Sequence, residues 1–166
     1  MNNRDKVTGV LKRLDIEFTL YEHPPLPTIE IASEYWEIIP ARHCKNLFFR
    51  NHKGNRHYLV ILDARQALDI HDLEKKLRQG KISFASDQRL EKYLGLKAGS
   101  VSPFGLINDL DNHVYVFLDE TLKTADYISF HPNDNTATLV LKFEDFNKYL
   151  LCSGNGFEYL RLYGTE

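Results

Sequence analysis

Residues 45–62, KNLFFRNHKGNRHYLVIL, carry the clearest secondary-structure signal in the chain. Two runs of aromatic and β-branched residues flank a polar loop that contains Gly54, a pattern typical of a β-hairpin. In the second run, residues 57–62, apolar side chains occupy both alternating positions. We therefore expect this strand to lie inside a sheet, with both of its faces covered.

Helical and strand patterns alternate along the rest of the chain. Helices are predicted near residues 7–14, 28–39, 69–80, 86–95 and 143–151, and strands near 18–21, 113–118, 127–130, 136–142 and 157–162. Thr28, Asp69 and Ser86 are the expected N-caps, and Gly80 and Gly95 the expected helix ends. The order follows no strict βαβ period and no linker interrupts it. We expect one α+β domain over residues 1–166, a mixed and mainly antiparallel sheet packed with short helices.

The composition excludes several classes of protein. Lys and Arg number 21 and Asp and Glu 23, which gives a net charge of −2, so any contact with RNA must come from a local patch. Apolar runs are far shorter than a membrane span, and the N-terminus lacks the apolar stretch of a signal peptide. The expected compartment is the cytoplasm, with no membrane and no DNA as partners.

The motifs of several common chemistries are missing. The sequence has no P-loop, no dinucleotide fingerprint, no His-Glu-x-x-His pair and no Gly-x-Ser-x-Gly elbow. Two cysteines, Cys44 and Cys152, are too few for a zinc site or a disulfide framework, so we expect neither a metal nor another cofactor. Cys44 is either a nucleophile activated by Lys45 or, as free cysteines usually are, a small buried residue.

Three polar clusters in apolar surroundings remain as candidate functional sites. Residues 42–57 contain five Lys or Arg, three His and no acid, which favours an anion-facing surface. Within them, Lys45 either extends into water or lies in a cleft, where it would bind a phosphate or an oxyanion. Residues 99–105, GSVSPFG, are either a turn or a nest of backbone N–H groups. Residues 131–135, HPNDN, form a turn between two predicted strands.

Taken in order, KNLFFR (45–50), GSVSPFGL (99–106) and FHPNDNTAT (130–138) resemble motifs of a known family. The chain is similar to the free-standing editing proteins related to the insertion domain of bacterial prolyl-tRNA synthetase, within the YbaK superfamily. It most resembles the ProX-type alanyl-tRNA(Pro) deacylases. The resemblance implies hydrolysis of the ester that joins alanine to tRNA(Pro). Such editing is needed because a pocket built for proline rejects a smaller apolar amino acid by only ~1–3 kcal/mol.

The resemblance also implies roles for individual residues. Lys45 would hold the phosphate or ribose of the terminal adenosine, and N–H groups near Gly99 would stabilise the oxyanion. His131 would orient substrate or water rather than act alone as general base, although the pKa range of histidine permits either role. The other expected substrate-binding residues are Asn46, Ser100, Ser102, Pro103, Leu20 and Ile31, the last two as guesses for the wall of the alanine cavity. The expected tRNA-binding residues are Arg50, Lys53 and Arg56, or else Lys75, Lys76, Arg78 and Lys81.

Other functions stay open at this stage. The expected partner is the acceptor end of tRNA(Pro) carrying alanine, with prolyl-tRNA synthetase as a second candidate partner. A deacylase for another mischarged tRNA, such as Cys-tRNA(Pro) as in the YbaK branch, would share the same residues. A non-catalytic tRNA-binding module would bind tRNA and hydrolyse no ester, and a plain protein-interaction domain would be indifferent to tRNA.

Overall fold

The computed structural model describes residues 2–25 and 29–162, apart from the side chains of residues 29 and 30. Its strands are β1 (Phe18–Glu22), β2 (Arg42–Asn51), β3 (His57–Asp63), β4 (Ile82–Phe84), β5 (Tyr115–Asp119), β6 (Tyr127–Phe130), β7 (Ala137–Lys142) and β8 (Phe157–Leu160). Its α-helices are α1 (Asn3–Arg13), α2 (Ile29–Trp36), α3 (Ile70–Leu77), α4 (Asp87–Leu94) and α5 (Phe143–Ser153). Two 3₁₀ helices cover Pro103–Asn108 and Glu120–Thr124.

The strands form a single sheet in the order β1-β7-β6-β2-β3-β5-β8, and β4 pairs with the far end of β2. β7 is antiparallel to β1 and β6, and β2 is antiparallel to β3 and β4. The pairs β2–β6, β3–β5 and β5–β8 are parallel. The predicted fold class, a mixed and mainly antiparallel sheet with short helices, is confirmed.

The hairpin at residues 45–62 lies in the middle of this sheet, as predicted. Lys45 pairs with Leu62 and Arg50 with His57, and every residue of β3 is buried. The connecting turn is held by Asn51, whose Oδ1 accepts the N–H groups of residues 55 and 56. β3 is central because its neighbour on the other side is β5, which reaches it by a parallel crossover.

Each face of the sheet carries its own core. The larger core includes Leu11 from α1, Leu94 from α4 and Phe146 from α5. The smaller core packs Leu73 and Leu77 of α3 against the other face of the hairpin. No helix in the described part of the chain is long and apolar enough to cross a membrane.

Local signals for helix ends are mostly confirmed. Asp69 caps α3, because its side chain accepts the N–H groups of His71 and Asp72. Ser86 caps α4, which ends at Gly95 in the left-handed region. The end of α3 at Gly80 was wrong, because Arg78 takes the left-handed position with φ of 56°. The expected cap Thr28 lies outside the described residues.

Candidate active site

Strands β2 and β6 lie side by side where they begin, and then separate. His43 pairs with Ser129 in parallel register, and two residues further along each chain come Lys45 and His131. Side chains alternate between the two faces of a strand, so these four residues belong to one face of the sheet. Thr138 of β7 is on the same face, where its hydroxyl contacts His23. The fork between the two strands therefore brings the first and third sequence clusters together.

Helix α2 covers this polar face. Its Trp36 ring stacks on His43 at 5.0 Å, and its Tyr35 ring lies 5.4 Å from His23. Ile31, the predicted wall residue, is also on α2 and is 42% exposed. A layer of polar groups beneath an amphipathic helix is a suitable place to enclose a small polar ligand.

His131 is the histidine of this face with a free ring nitrogen. Its Nδ1 lies 2.8 Å from the carbonyl oxygen of Ala137, which can only accept, so Nδ1 carries the proton and Nε2 has a lone pair. Within the described residues Nε2 makes no hydrogen bond. Burial lowers the pKa of His131, more than the bond to Ala137 raises it. A neutral imidazole with an exposed lone pair can accept a proton from water.

The two neighbouring histidines have both ring nitrogens occupied. His23 donates from Nδ1 to the carbonyl of Pro24 and accepts from Thr138 at 2.8 Å. His43 donates from Nε2 to the carbonyl of Ile39 and accepts from Ser129 at 2.6 Å. These two imidazoles therefore fix the strands and α2 around the site, and His131 alone of the three is left to do chemistry.

The glycine-containing loop joins the same end of the sheet. Asn133 donates from Nδ2 to the carbonyl of Phe104, and a Cβ on Gly99 would lie 3.8 Å from Nδ2 of Asn135. Gly99 has φ of 88°, a conformation that favours glycine. In the described structure the N–H groups of residues 99, 101 and 102 donate no hydrogen bond. Free backbone donors on a tight loop are the groups that an oxyanion needs.

Lys45 is half-buried on the polar face. Its Nζ donates to the carbonyl of Gln66, in the loop that follows β3, at 2.5 Å. The carbonyl positions the ammonium group without neutralising it, because a carbonyl has no net charge. Lys45 thus remains able to attract an anionic group.

Two predicted substrate-binding residues, Asn46 and Leu20, lie on the opposite face of the sheet from Lys45. Asn46 follows Lys45 on β2 and therefore faces the opposite side of the sheet, towards the larger core. Leu20 packs against the same core, as do Val101 and Phe104 of the 99–105 loop, and its place in the cavity wall stays a prediction. Alternation along a strand is the physical reason in both cases.

Two further predicted residues shape the loop from inside. Ser102 is fully buried, and its Oγ accepts the N–H of Phe104 at the start of the 3₁₀ helix. Pro103 is buried too, and its carbonyl accepts from the Tyr149 hydroxyl at 2.8 Å. Ser100 is half-buried, and its N–H bonds to the carbonyl of Lys97. Ser102 and Pro103 thus hold the loop in shape, and the exposed Gly99 is the member closest to solvent.

Arg50, Lys53 and Arg56, the predicted tRNA-binding residues, lie at the turn of the hairpin. Arg50 donates to the carbonyls of residues 51 and 52, while Lys53 and Arg56 are exposed. About five residues of extended chain, roughly 17 Å, separate Lys45 from this turn. A ligand that contacts both places must be longer than one nucleoside.

The surroundings of Cys44 disfavour a thiol nucleophile. Burial raises the pKa of the Cys44 thiol and so disfavours the reactive thiolate. In the described part of the chain no group of three or more His, Cys, Asp or Glu is arranged to hold a metal ion.

Sequence reasoning assigned no role to His23, Ser129 or Thr138. A weak signal exists for His23, since a histidine directly before two prolines sits on a rigid backbone. Ser129 and Thr138 interrupt otherwise apolar strands, and buried hydroxyls in such strands need partners.

Comparison with known proteins relates the chain to aminoacyl-tRNA editing proteins. Residues 23–149 match the family model of the aminoacyl-tRNA editing domain. A protein of Acetoanaerobium sticklandii named prolyl-tRNA editing protein ProX is 43% identical over 163 residues, which cover 98% of this chain and 99% of the relative. The Mus musculus protein named prolyl-tRNA synthetase associated domain-containing protein 1 is 30% identical over 149 residues, 87% of this chain and 88% of the relative. A crystal structure described as a candidate trans-editing enzyme for prolyl-tRNA synthetase superposes with a TM-score of 0.70 at 20% identity, over 96% and 97% of the two chains.

Proposed function

The chain belongs to the aminoacyl-tRNA editing domain family, and from this premise we propose that it is a trans-editing deacylase that hydrolyses Ala-tRNA(Pro). The name of the 43% identical relative, a prolyl-tRNA editing protein, supports the tRNA as substrate. The single observation that carries the chemistry is His131, whose Nε2 makes no hydrogen bond within the described residues, at the end of the sheet that the 99–105 loop also joins through Asn133 and Asn135. The proposed place of action is the cytoplasm, where tRNA is charged, with prolyl-tRNA synthetase as a candidate partner.

The reaction requires little activation, because an aminoacyl ester is already reactive. His131 Nε2 takes a proton from water while the water oxygen bonds to the ester carbonyl carbon. The N–H groups of the Gly99 loop stabilise the resulting oxyanion, an effect often worth about 3 kcal/mol per donor. The tetrahedral intermediate collapses by breaking its bond to the ribose oxygen, which receives the proton from His131.

Lys45 and the half-enclosed polar face supply binding. The ammonium group holds the phosphate or ribose of the terminal adenosine and so sets the ester against the loop. Discrimination requires a pocket sized for a methyl side chain, which would accept alanine and exclude the proline ring as the second sieve that a prolyl pocket needs. Ile31, on the helix that covers this face, and Leu20 are the candidates for the wall.

The test is a deacylation time course on Ala-tRNA(Pro), Cys-tRNA(Pro) and Pro-tRNA(Pro). We expect fast release of alanine, slow release of proline, and a loss of about 10²-fold in kcat/KM for Lys45→Ala. Lys12→Ala, an exposed lysine on α1, is the matched control and should behave as wild type. Faster release of cysteine than of alanine would overturn the assigned amino acid, and equal activity of Lys45→Ala and wild type would overturn the assigned site.

A further inference from the structure

A second polar cluster lies at the hairpin end of the sheet, outside the site described above. His57, which is buried, stands between Arg89 of α4 and His113, which precedes β5. Arg89 Nη1 lies 3.0 Å from His57 Nε2, and His57 Nδ1 lies 2.9 Å from His113 Nε2. A guanidinium can only donate, so His57 accepts at Nε2 and donates from Nδ1. His113 therefore accepts at Nε2 and, when neutral, carries its own proton on Nδ1.

This chain of donors is held rigidly. Arg89 also donates to the carbonyl of Gly54 at 2.9 Å, which fastens the hairpin turn to α4. The His113 ring stacks on Tyr93 at 4.4 Å with an angle of 14° between the rings. Within the described residues, His113 Nδ1 makes no hydrogen bond, so a donor group backed by a guanidinium is left for a ligand.

A cavity of about 570 Å³ opens beside His113. Arg56 and His113 supply donors to its wall, and Tyr115 supplies an aromatic ring. Glu158 is the acidic residue of the wall, and its carboxylate accepts from the Tyr115 hydroxyl at 3.2 Å. The volume is in the range of pockets that hold small ligands, and the wall combines anion-binding donors with one acceptor.

The surroundings add positive charge. Arg50, Arg89 and Lys92 act electrostatically on His57, and the turn between β2 and β3 carries Lys53 and Arg56 and contains no acid. In a chain with a net charge of −2, such a local concentration selects for an anionic partner. Phosphates of RNA are the anions that a protein of this family meets on its substrate.

We propose that this cavity binds one nucleotide of the substrate RNA, away from the aminoacyl ester. Arg56 and the Nδ1–H of His113 hold the phosphate, and Glu158 accepts a ribose 2′-hydroxyl, the group that distinguishes RNA from DNA. The proposal rests on the proposed function, because it takes the ligand to be the body of the tRNA that is edited.

The placement agrees with this assignment. β2 and β6 are parallel, so the end of β6 that carries His131 points towards the hairpin turn. His57 is the first residue of β3, and His113 lies two residues before β5. Both are at that same end of the sheet, because β3 is antiparallel to β2 and β5 is parallel to β3. The separation along β2 is roughly 17 Å, which is longer than the terminal nucleoside alone. An RNA whose ester lies beside Lys45 can therefore place a more distant nucleotide in the cavity.

The first experiment compares two esters of alanine: Ala-tRNA(Pro) and alanyl-adenosine, which lacks the rest of the RNA. His113→Phe keeps a ring to stack on Tyr93 and removes the N–H. We expect it to raise KM for Ala-tRNA(Pro) about tenfold with kcat unchanged, and to hydrolyse alanyl-adenosine as wild type does. Lys12→Gln, on α1, serves as the control for a change of surface polarity and should alter neither substrate. An unchanged KM for Ala-tRNA(Pro) in His113→Phe, or an equal loss on both esters, would overturn the cavity as an RNA site.

The second experiment separates the cavity from the catalytic proposal. Binding of uncharged tRNA(Pro), and of the same acceptor strand made with deoxyribose, is measured by fluorescence anisotropy. Wild type should favour the RNA strand, and Glu158→Gln should reduce that preference. Equal affinity of wild type for the RNA and DNA strands would overturn the role of Glu158, and displacement of the RNA by millimolar inorganic phosphate alone would overturn the nucleotide as ligand. If wild type hydrolyses neither ester but binds RNA through His113, the proposed function fails and the cavity stands.

Discussion

At position 131, the local backbone decides what the imidazole can do. The carbonyl of Ala137 fixes the proton on Nδ1, and burial keeps the ring neutral by lowering its pKa. Replacing the ring with an amide removes the basic nitrogen, so His131→Gln should lower kcat for Ala-tRNA(Pro) by about 10²-fold or more. The measurement is single-turnover deacylation. His71→Gln, at an exposed histidine on α3, is the control.

The same assignment predicts how kcat depends on pH on the acid side of neutrality. Because the pKa of His131 lies below 6.5, Nε2 stays unprotonated at neutral pH, and kcat should begin to fall only below pH 6.5. In His131→Gln this limb should disappear from the residual activity. A limb of unchanged shape in the variant would show that another group accepts the proton.

At the scale of an element, the loop that begins at Gly99 can be tested against a matched glycine. Gly99 and Gly80 both have positive φ, 88° and 77°, and neither has an atom closer than 3.8 Å to the place of a new Cβ. Alanine at either position therefore pays mainly for the left-handed backbone, about 1–2 kcal/mol of stability. Gly99→Ala should also reduce kcat/KM at least tenfold, because the relaxing loop moves its N–H groups. Gly80→Ala, on the turn after α3, should leave kcat/KM unchanged.

A comparison of the two variants by chemical denaturation and deacylation checks this. Similar losses of stability together with a loss of activity in one variant alone would assign catalysis to the loop. Similar activities in both variants would remove the loop from the mechanism.

The elements also show how far sequence reasoning extends. The helix from Ser86 to Gly95 was predictable because its cap, apolar face and terminal glycine all agree. β4 was not, because only one of its three side chains is buried and its existence depends on pairing with β2. The end of α3 at Arg78 was missed because a left-handed arginine leaves no mark in composition.

The site was predictable only in part, and for a physical reason. Lys45, Gly99 and His131 could be named because they fall in motifs that resemble a known family. Nothing in the sequence says that β6 lies beside β2, so only the structure shows that Lys45 and His131 share one face of the sheet. The alternation of side chains along the strands places Asn46 and Leu20 on the other face, which carries the larger core.

Over the whole molecule, buried histidines should make stability depend on pH. Burial lowers the pKa of His43 and His131, and burial above all, with His113 and Arg89 nearby, lowers that of His57 to about 4. In the unfolded chain these groups titrate near 6.5, so between pH 4 and 6.5 the unfolded state binds more protons. Stability is then full above pH 6.5 and is lost as the pH falls towards 4. Asp63 and Asp134, whose pKa values are lowered, lose their contribution only below about pH 3.8 and do not set this slope.

Urea denaturation of wild type and His57→Gln at several pH values between 4.5 and 7.5 tests this dependence. Each histidine that stays neutral in the fold adds up to about 1.4 kcal/mol per pH unit to the slope of unfolding free energy against pH. His57→Gln should therefore give a shallower slope than wild type, even if it is less stable at every pH. His71→Gln removes an exposed histidine and should keep the wild-type slope. Parallel slopes for wild type and His57→Gln would mean that the cluster of Arg89, His57 and His113 takes up a proton in the folded state. The hydrogen bonds inferred from its geometry, in which a neutral His57 accepts from Arg89 and donates to His113, would then not hold.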